Sequence, residues 1–171
     1  MYNIGDLIIY GNSGVCTVEN IGPLESMDIP KDVIYYTLLP YYRKGSTIYT
    51  PVDNKKVVMR PIVTKEESMR IIDEIKDIDT LWISEEKKRE NEYKTAVRTC
   101  DCKQLVRIIK TIYLRKLSRI ADGKKITATD EKYFKIAEDN FYGELAIPLE
   151  MTKEEVGKFV VARVQKLMDE E

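Results

Sequence analysis

The hydrophobic period of this chain changes near residue 63, and one type of secondary structure cannot accommodate both halves. Asp6-Leu-Ile-Ile-Tyr10 is a short apolar run of β-prone residues, closed by the turn cluster Gly11-Asn-Ser-Gly14. Val15-Cys-Thr-Val-Glu-Asn-Ile21 then alternates with period two, as a half-buried strand does, until Gly22-Pro23 breaks it. Val33-Ile-Tyr-Tyr-Thr-Leu-Leu39 and Thr47-Ile-Tyr-Thr50 follow, joined through the turn Arg43-Lys-Gly-Ser46. Val57-Val-Met59 adds a short closing strand. Beyond residue 63 the spacing becomes helical. Thr64 with Glu67 makes a capping box ahead of Met69, Ile72 and Ile75. Ser84 is expected to cap a helix to about Arg98, and Asp101 one to about Ala121. Thr127 with Asp130, or Thr129 directly, opens another that ends before Pro148, and Thr152 with Glu155 the last. The period predicts an α+β chain: a small, bent antiparallel β-sheet over 1–62, then an all-α bundle of about four helices over 63–171. A sheet that small keeps an exposed edge, which is a hazard or a docking site.

Composition narrows the chemistry. The 171 residues contain no histidine, so Ser-His-Asp and Cys-His catalysis and imidazole-ligated metal sites are excluded. Three cysteines, two of them in Cys100-Asp-Cys102, cannot make a four-thiolate site and read as small hydrophobes of a reducing compartment. Neither common Gly-rich phosphate cradle is present. The carboxylates sit among lysines on predicted helix surfaces, where a solvated face explains them. The chain reads as a non-enzymatic protein without cofactor or metal. No apolar run is long enough to span a bilayer and the first residues do not resemble a signal peptide, so the cytoplasm is its expected location.

The formal net charge of −1 conceals an asymmetry. Between Ser84 and Lys125 thirteen basic residues stand against six acidic ones, a net +7, whereas the stretch from Ile126 to the end carries −5. In the helix after Asp101, Lys103, Arg107 and Lys110 lie opposite the apolar face of Leu105, Ile108, Ile109 and Ile112. Almost no acid is interleaved there, which predicts a field suited to phosphates. Trp82, flanked by Leu81 and Ile83, is the single tryptophan. It reads either as a core residue or as an apolar wedge against an unstacked base.

These pieces together resemble the CarD family of bacterial transcription regulators, in its short CdnL-type form, over nearly the whole chain. Ile4-Gly-Asp-Leu-Ile-Ile-Tyr10 with Gly14-Val15 is similar to the family's opening motif. Tyr35-Tyr-Thr-Leu38, Ile48-Tyr-Thr-Pro-Val52 and Val57-Val-Met-Arg-Pro-Ile62 are similar to its later strands. The helical half is similar through Trp82, Asp101, Leu105-Val-Arg-Ile-Ile109, Tyr113-Leu-Arg-Lys116, Asp130-Glu-Lys132 and Gly143-Glu-Leu-Ala146.

The resemblance implies a Tudor-like domain over 1–62 that binds the RNA polymerase β subunit. It implies a helical domain over 63–171 that contacts promoter DNA at the upstream edge of the bubble and stabilises the open complex. On the DNA side it assigns Trp82 as the wedge, with Arg115 and Lys132 as basic contacts. Lys87, Lys88, Arg89, Lys94 and Lys116 join these as the nearby cations. On the polymerase side it points to Leu24, Arg43, Tyr49 and Thr50. Tyr49 and Leu24 stand where well-known members carry arginines. The stretch from Trp82 to Asp101 is about four residues longer than theirs, close to one helical turn of ~3.6, and Glu85-Glu86 replaces a basic residue. The protein is expected to be a monomer when free, associated with the nucleoid through polymerase. The competing reading is a protein-interaction adaptor with Tudor-like and basic helical modules that does not act on promoter DNA.

Overall fold

The computed structural model describes residues 1–25 and 28–170. The chain divides into two compact units, Met1–Ile62 and Val63–Glu171, and the class is α+β.

The first unit is a five-stranded antiparallel sheet of β1 (Leu7–Tyr10), β2 (Val15–Gly22), β3 (Tyr35–Pro40), β4 (Ile48–Pro51) and β5 (Met59–Pro61). Their order is β4-β3-β2-β1-β5, so β4 and β5 are the edges. Inward alternation gathers Ile8, Cys16, Val18, Tyr36 and Leu38 into one core. The expected plain alternation of β2 does not hold to its end. Val18 pairs with Leu38 but Asn20 with Thr37, which leaves Glu19 as the extra residue of a β-bulge. The bulge shifts the inward side by one position, and so Ile21 rather than Asn20 packs against the core. Gly11 at the β1–β2 turn has φ +45°, and a Cβ there would lie 2.7 Å from Val57 Cγ1, so glycine is required. Burial pushes the Cys16 thiol up to about 11, with Arg43 opposing, and all three cysteines are buried.

The second unit has five helices among the described residues rather than about four. They are α1 (Lys65–Glu74), α2 (Arg89–Arg98), α3 (Cys102–Ala121), α4 (Ala128–Ala146) and α5 (Lys153–Asp169). Thr64 and Thr152 form full capping boxes with Glu67 and Glu155. Asp101 accepts from Lys103 N–H at 2.7 Å, and Thr127 accepts from Asp130 N–H at 3.1 Å. Ser84 caps nothing. A 3₁₀ turn, Glu86–Lys88, leads into α2, because Glu85 and Glu86 are held by cations instead of continuing a helix from Ser84. Ile72, Tyr93, Ile108, Ile112, Phe141, Leu145 and Val156 fill the core. Gly157 of α5 faces α4, where an added Cβ would make ordinary van der Waals contact with the Tyr142 ring at 3.4 Å. Among the described residues no helix is long and apolar enough to cross a membrane.

Candidate functional site

In the sheet unit, the cross-strand row Asn20–Thr37–Tyr49 runs over β2, β3 and β4. Bulge and row shape an open cleft of about 660 Å³ whose walls also include Pro23, Leu24 and Glu25. Leu24 and Tyr49, two of the four positions singled out on this unit, therefore meet at one site. Tyr49 is 44% exposed on edge strand β4, and its aromatic face with Leu24 gives the cleft an apolar wall beside the Glu25 carboxylate. The other two positions are elsewhere. Arg43 is exposed in the β3–β4 turn and does not line the cleft. Thr50 is 1% exposed and accepts from Asn54 Nδ2 at 2.9 Å. Strand alternation turns its side chain inward, so it offers a partner only its edge backbone.

In the helical unit, Trp82 is 81% exposed, which removes the core reading. Its neighbours explain why. Leu81 and Ile83 pack against the helical core, and the ring between them turns to solvent. The segment that carries it is irregular, with the 3₁₀ turns Ile75–Asp77 before it and Glu86–Lys88 after it.

The expected open basic stripe on α3 is not open. Lys103 Nζ lies 2.6 Å from Glu74. Arg107 donates to the carbonyls of Asp79 and Thr80, both at 3.3 Å. Lys110 Nζ donates to the carbonyls of Ile75 (2.8 Å), Lys76 (3.3 Å) and Ile78. The physical reason is that carbonyls at the C-terminal end of a helix carry partial negative charge and have acceptor capacity beyond the local bond that Ile75 takes from Ile78 N–H. The cations of α3 satisfy them across about thirty residues of sequence, where a local count of charges detects nothing.

The remaining cations divide by burial. Arg115 is not open to a ligand: its guanidinium is bidentate to Glu86 and donates through Nε to Asp130 at 2.7 Å. Arg89 bonds Glu86 at 3.0 Å and the Tyr93 hydroxyl at 3.1 Å. Tyr93 in turn donates to Asp130 at 2.9 Å. These five residues form a closed ring of charge-assisted hydrogen bonds around Asp130, which is 0% exposed. Partial burial raises the Glu86 pKa, but the bonds from Arg89 and Arg115 outweigh it and hold the carboxyl below its usual range. Arg89 and Arg115 are thus structural and leave the set of free DNA-facing cations.

Lysines Lys87 and Lys88 share Glu85, both at 3.1 Å. Lys94 and Lys132 meet at Glu90, at 3.6 and 3.9 Å. Such exposed pairs are worth ~0–1 kcal/mol, so a phosphate can replace the carboxylate. Lys116 is exposed, and its charge pulls down the Glu138 pKa, which burial and Asp139 raise. Tyr93 and Thr111 escaped the sequence reading; Glu86 stood there only as an acid in place of a basic residue, and Asp130 only in the Thr127 cap and the Asp130-Glu-Lys132 match. Among the described residues no group of three or more Cys, Asp or Glu is arranged to hold a metal ion.

A five-stranded antiparallel sheet with a bulged strand, an open edge and a cleft beside it defines a small interaction domain. Residues 2–63 match the family model described as the CarD-like/TRCF RID domain. The sheet unit is thus similar to the RNA polymerase-interacting domains that this family model describes. Among curated proteins no match to the chain was found.

Proposed function

We propose that this protein is a non-enzymatic regulator of transcription initiation, cytoplasmic and monomeric when free, which joins RNA polymerase to promoter DNA and stabilises the open complex. The sheet unit docks on the polymerase β subunit through the β4 edge and the Leu24–Tyr49 cleft. The helical unit sets Trp82 against the upstream edge of the bubble, with Lys87, Lys88, Lys94, Lys116 and Lys132 close to the backbone phosphates. The observation that carries the reading is the 81% exposure of the single tryptophan, in a chain whose residues 2–63 match the model of an RNA polymerase-interacting domain.

The mechanism is differential affinity. A ring that stacks only on unwound or kinked DNA shifts the open–closed equilibrium by the difference in its affinity for the two states. Base–aromatic stacking is worth ~1–3 kcal/mol, a factor of roughly 5–150. Open-complex lifetimes measured after competitor challenge, with the full chain, with Trp82→Ala and without protein, test this. The full chain should lengthen the lifetime several-fold and Trp82→Ala should not. Equal lifetimes in all three refute the reading. Loss of β-subunit binding by Tyr49→Asp would support the cleft, and unchanged binding would remove it.

A further inference from the structure

We infer that one face of α3 is a rail that holds the Trp82 segment in a single conformation before nucleic acid arrives, with Lys110, Thr111 and Glu86 as positioning residues. The inference rests on the wedge reading given above. Lys103, Arg107, Lys110, Thr111 and Arg115 are spaced by four, three, one and four residues, so they share one side of the helix. Their partners follow the chain in broadly the same order. Lys103 takes Glu74, Lys110 the carbonyls of Ile75, Lys76 and Ile78, and Arg107 those of Asp79 and Thr80. Thr111 Oγ1 accepts from Leu81 N–H at 2.8 Å, and Arg115 takes Glu86.

Two features make this more than helix packing. First, between Ile75 and Leu81 the rail holds main-chain atoms, and an ammonium has three donors, all of which Lys110 uses here. Anchoring carbonyls and an N–H fixes the backbone path whatever the side chains are. Second, the anchors bracket Trp82. Thr111 fixes the residue before it, Ile83 packs on the core just after it, and Glu86 closes the far end against the Asp130 ring. Stabilising the end of α1 requires Lys110 alone; the bonds at Leu81 and Glu86 lie beyond that helix. Lys110 also shows why the stripe lacks acidic partners within α3: its ligands are carbonyls.

A preset ring gains apparent affinity by removing the fraction of time spent in other poses. If a loosened segment presents the ring usefully a tenth of the time, the effect on the open complex falls about tenfold.

The test uses the full chain with Thr111→Val, Lys110→Met and Glu86→Gln, each checked for folding by circular dichroism. Thr111→Ser is the conservative rescue, and Trp82→Ala is the reference. Time-resolved emission anisotropy of Trp82, the only tryptophan, reads its mobility without DNA. The rail predicts a larger amplitude of fast motion in the three variants, native values in Thr111→Ser, and a several-fold shorter open-complex lifetime wherever motion rises. Unchanged anisotropy in the folded variants overturns the rail. A looser ring with an undiminished lifetime, while Trp82→Ala shortens it, overturns the positioning role. If Trp82→Ala itself has no effect on the lifetime, the wedge reading fails, and the positioning role fails with it; the anisotropy then decides only whether the rail holds the segment. Glu86 is on the surface, so its variant remains folded and informative even if Thr111→Val does not.

Discussion

Replacing Tyr93 by phenylalanine removes one oxygen from the ring that anchors the far end of the Trp82 segment. The hydroxyl donates to Asp130 at 2.9 Å and accepts from Arg89 at 3.1 Å, and neither Tyr93 nor Asp130 is exposed. Phenylalanine keeps the packing volume, so no cavity contributes. The loss is that of a bond to a buried carboxylate, which still keeps Arg115 at 2.7 Å. Bonds to charged groups are worth ~1.5–3 kcal/mol, which puts the destabilisation at about 2 kcal/mol. For a unit of this size that lowers the melting temperature by roughly 6–12 °C.

A second signature comes from titration of the same hydroxyl. Burial pushes the Tyr93 pKa up to about 12; the hydrogen bond from Arg89 opposes this, and the bond to Asp130 and its charge add to it. The ordinary tyrosine value is ~10. A pKa raised on folding means the stabilisation is complete below pH ~10 and is lost as pH rises toward 12. Lysines and the other tyrosines titrate in both proteins, so the difference between them isolates Tyr93. Urea unfolding followed by circular dichroism at pH 7, 9 and 10.5 should show the wild-type advantage hold and then narrow. A loss at pH 7 under ~0.5 kcal/mol, or a gap that stays constant across this range, refutes the ring as an energetic unit.

Trp82→Ala should barely affect folding, because only about a fifth of the ring is covered; at ~25 cal/mol per Å² and ~250 Å² for a whole ring that is about 1 kcal/mol at most in thermal melts. Phe141→Ala, at 1% exposure in the helical core, should by contrast cost ~3–5 kcal/mol in the same assay. The hydrogen bond from Arg163, at 2.7 Å, holds the Asp73 pKa below its usual range against a small opposing effect of burial. That contribution is present above pH ~4 and disappears as pH falls through the lowered value, so Asp73→Asn should flatten the acid limb of the pH–stability profile.

Much of the architecture was legible because its determinants are local. Thr64, Asp101, Thr127 and Thr152 each cap the helix their spacing announced, since a cap needs only side chains within three residues of the N–H groups it meets. Ser84 has the same chemistry and failed. The decision there belonged to Arg115 and Arg89, which take Glu86 for the ring, and no window around Ser84 contains Arg115. The bulge at Glu19 was invisible for a similar reason: two registers alternate equally well, and only packing of Ile21 against the sheet core selects one.

The candidate site shows the same division. Trp82 stood out by residue type alone, whereas the fate of the cations depended on partners such as Ile75, Asp79 and Asp130, distant in sequence. A stripe at helical spacing without acidic i±4 partners was a real signal. It marked a helix whose counter-groups are carbonyls on another segment.

The last prediction concerns how steeply DNA binding responds to salt. A basic segment of thirteen cations, all engaged with phosphates, would give a slope of log K against log salt near −12, at ~0.9 per phosphate. The structure leaves far fewer for that purpose. Lys103, Arg107, Lys110, Arg89 and Arg115 are bonded to protein groups, and Arg119 donates to the Lys125 carbonyl. Of the other seven the proposed interface uses Lys87, Lys88, Lys94 and Lys116, joined by Lys132 from α4, and full engagement of these five lysines gives a slope of about −4.5. Free affinity of that kind is weak, and in the proposed complex docking on polymerase would compensate by holding the helical unit at an effective concentration on the order of millimolar. The wedge then needs to discriminate open from closed DNA rather than find DNA. Anisotropy titrations of the full chain with a fork-junction duplex from 50 to 300 mM salt measure the slope. A value steeper than about −7 would mean that the rail cations leave their carbonyls to bind phosphate, and the fixed segment would have to be abandoned. A slope near zero would remove phosphate contacts from the proposal altogether.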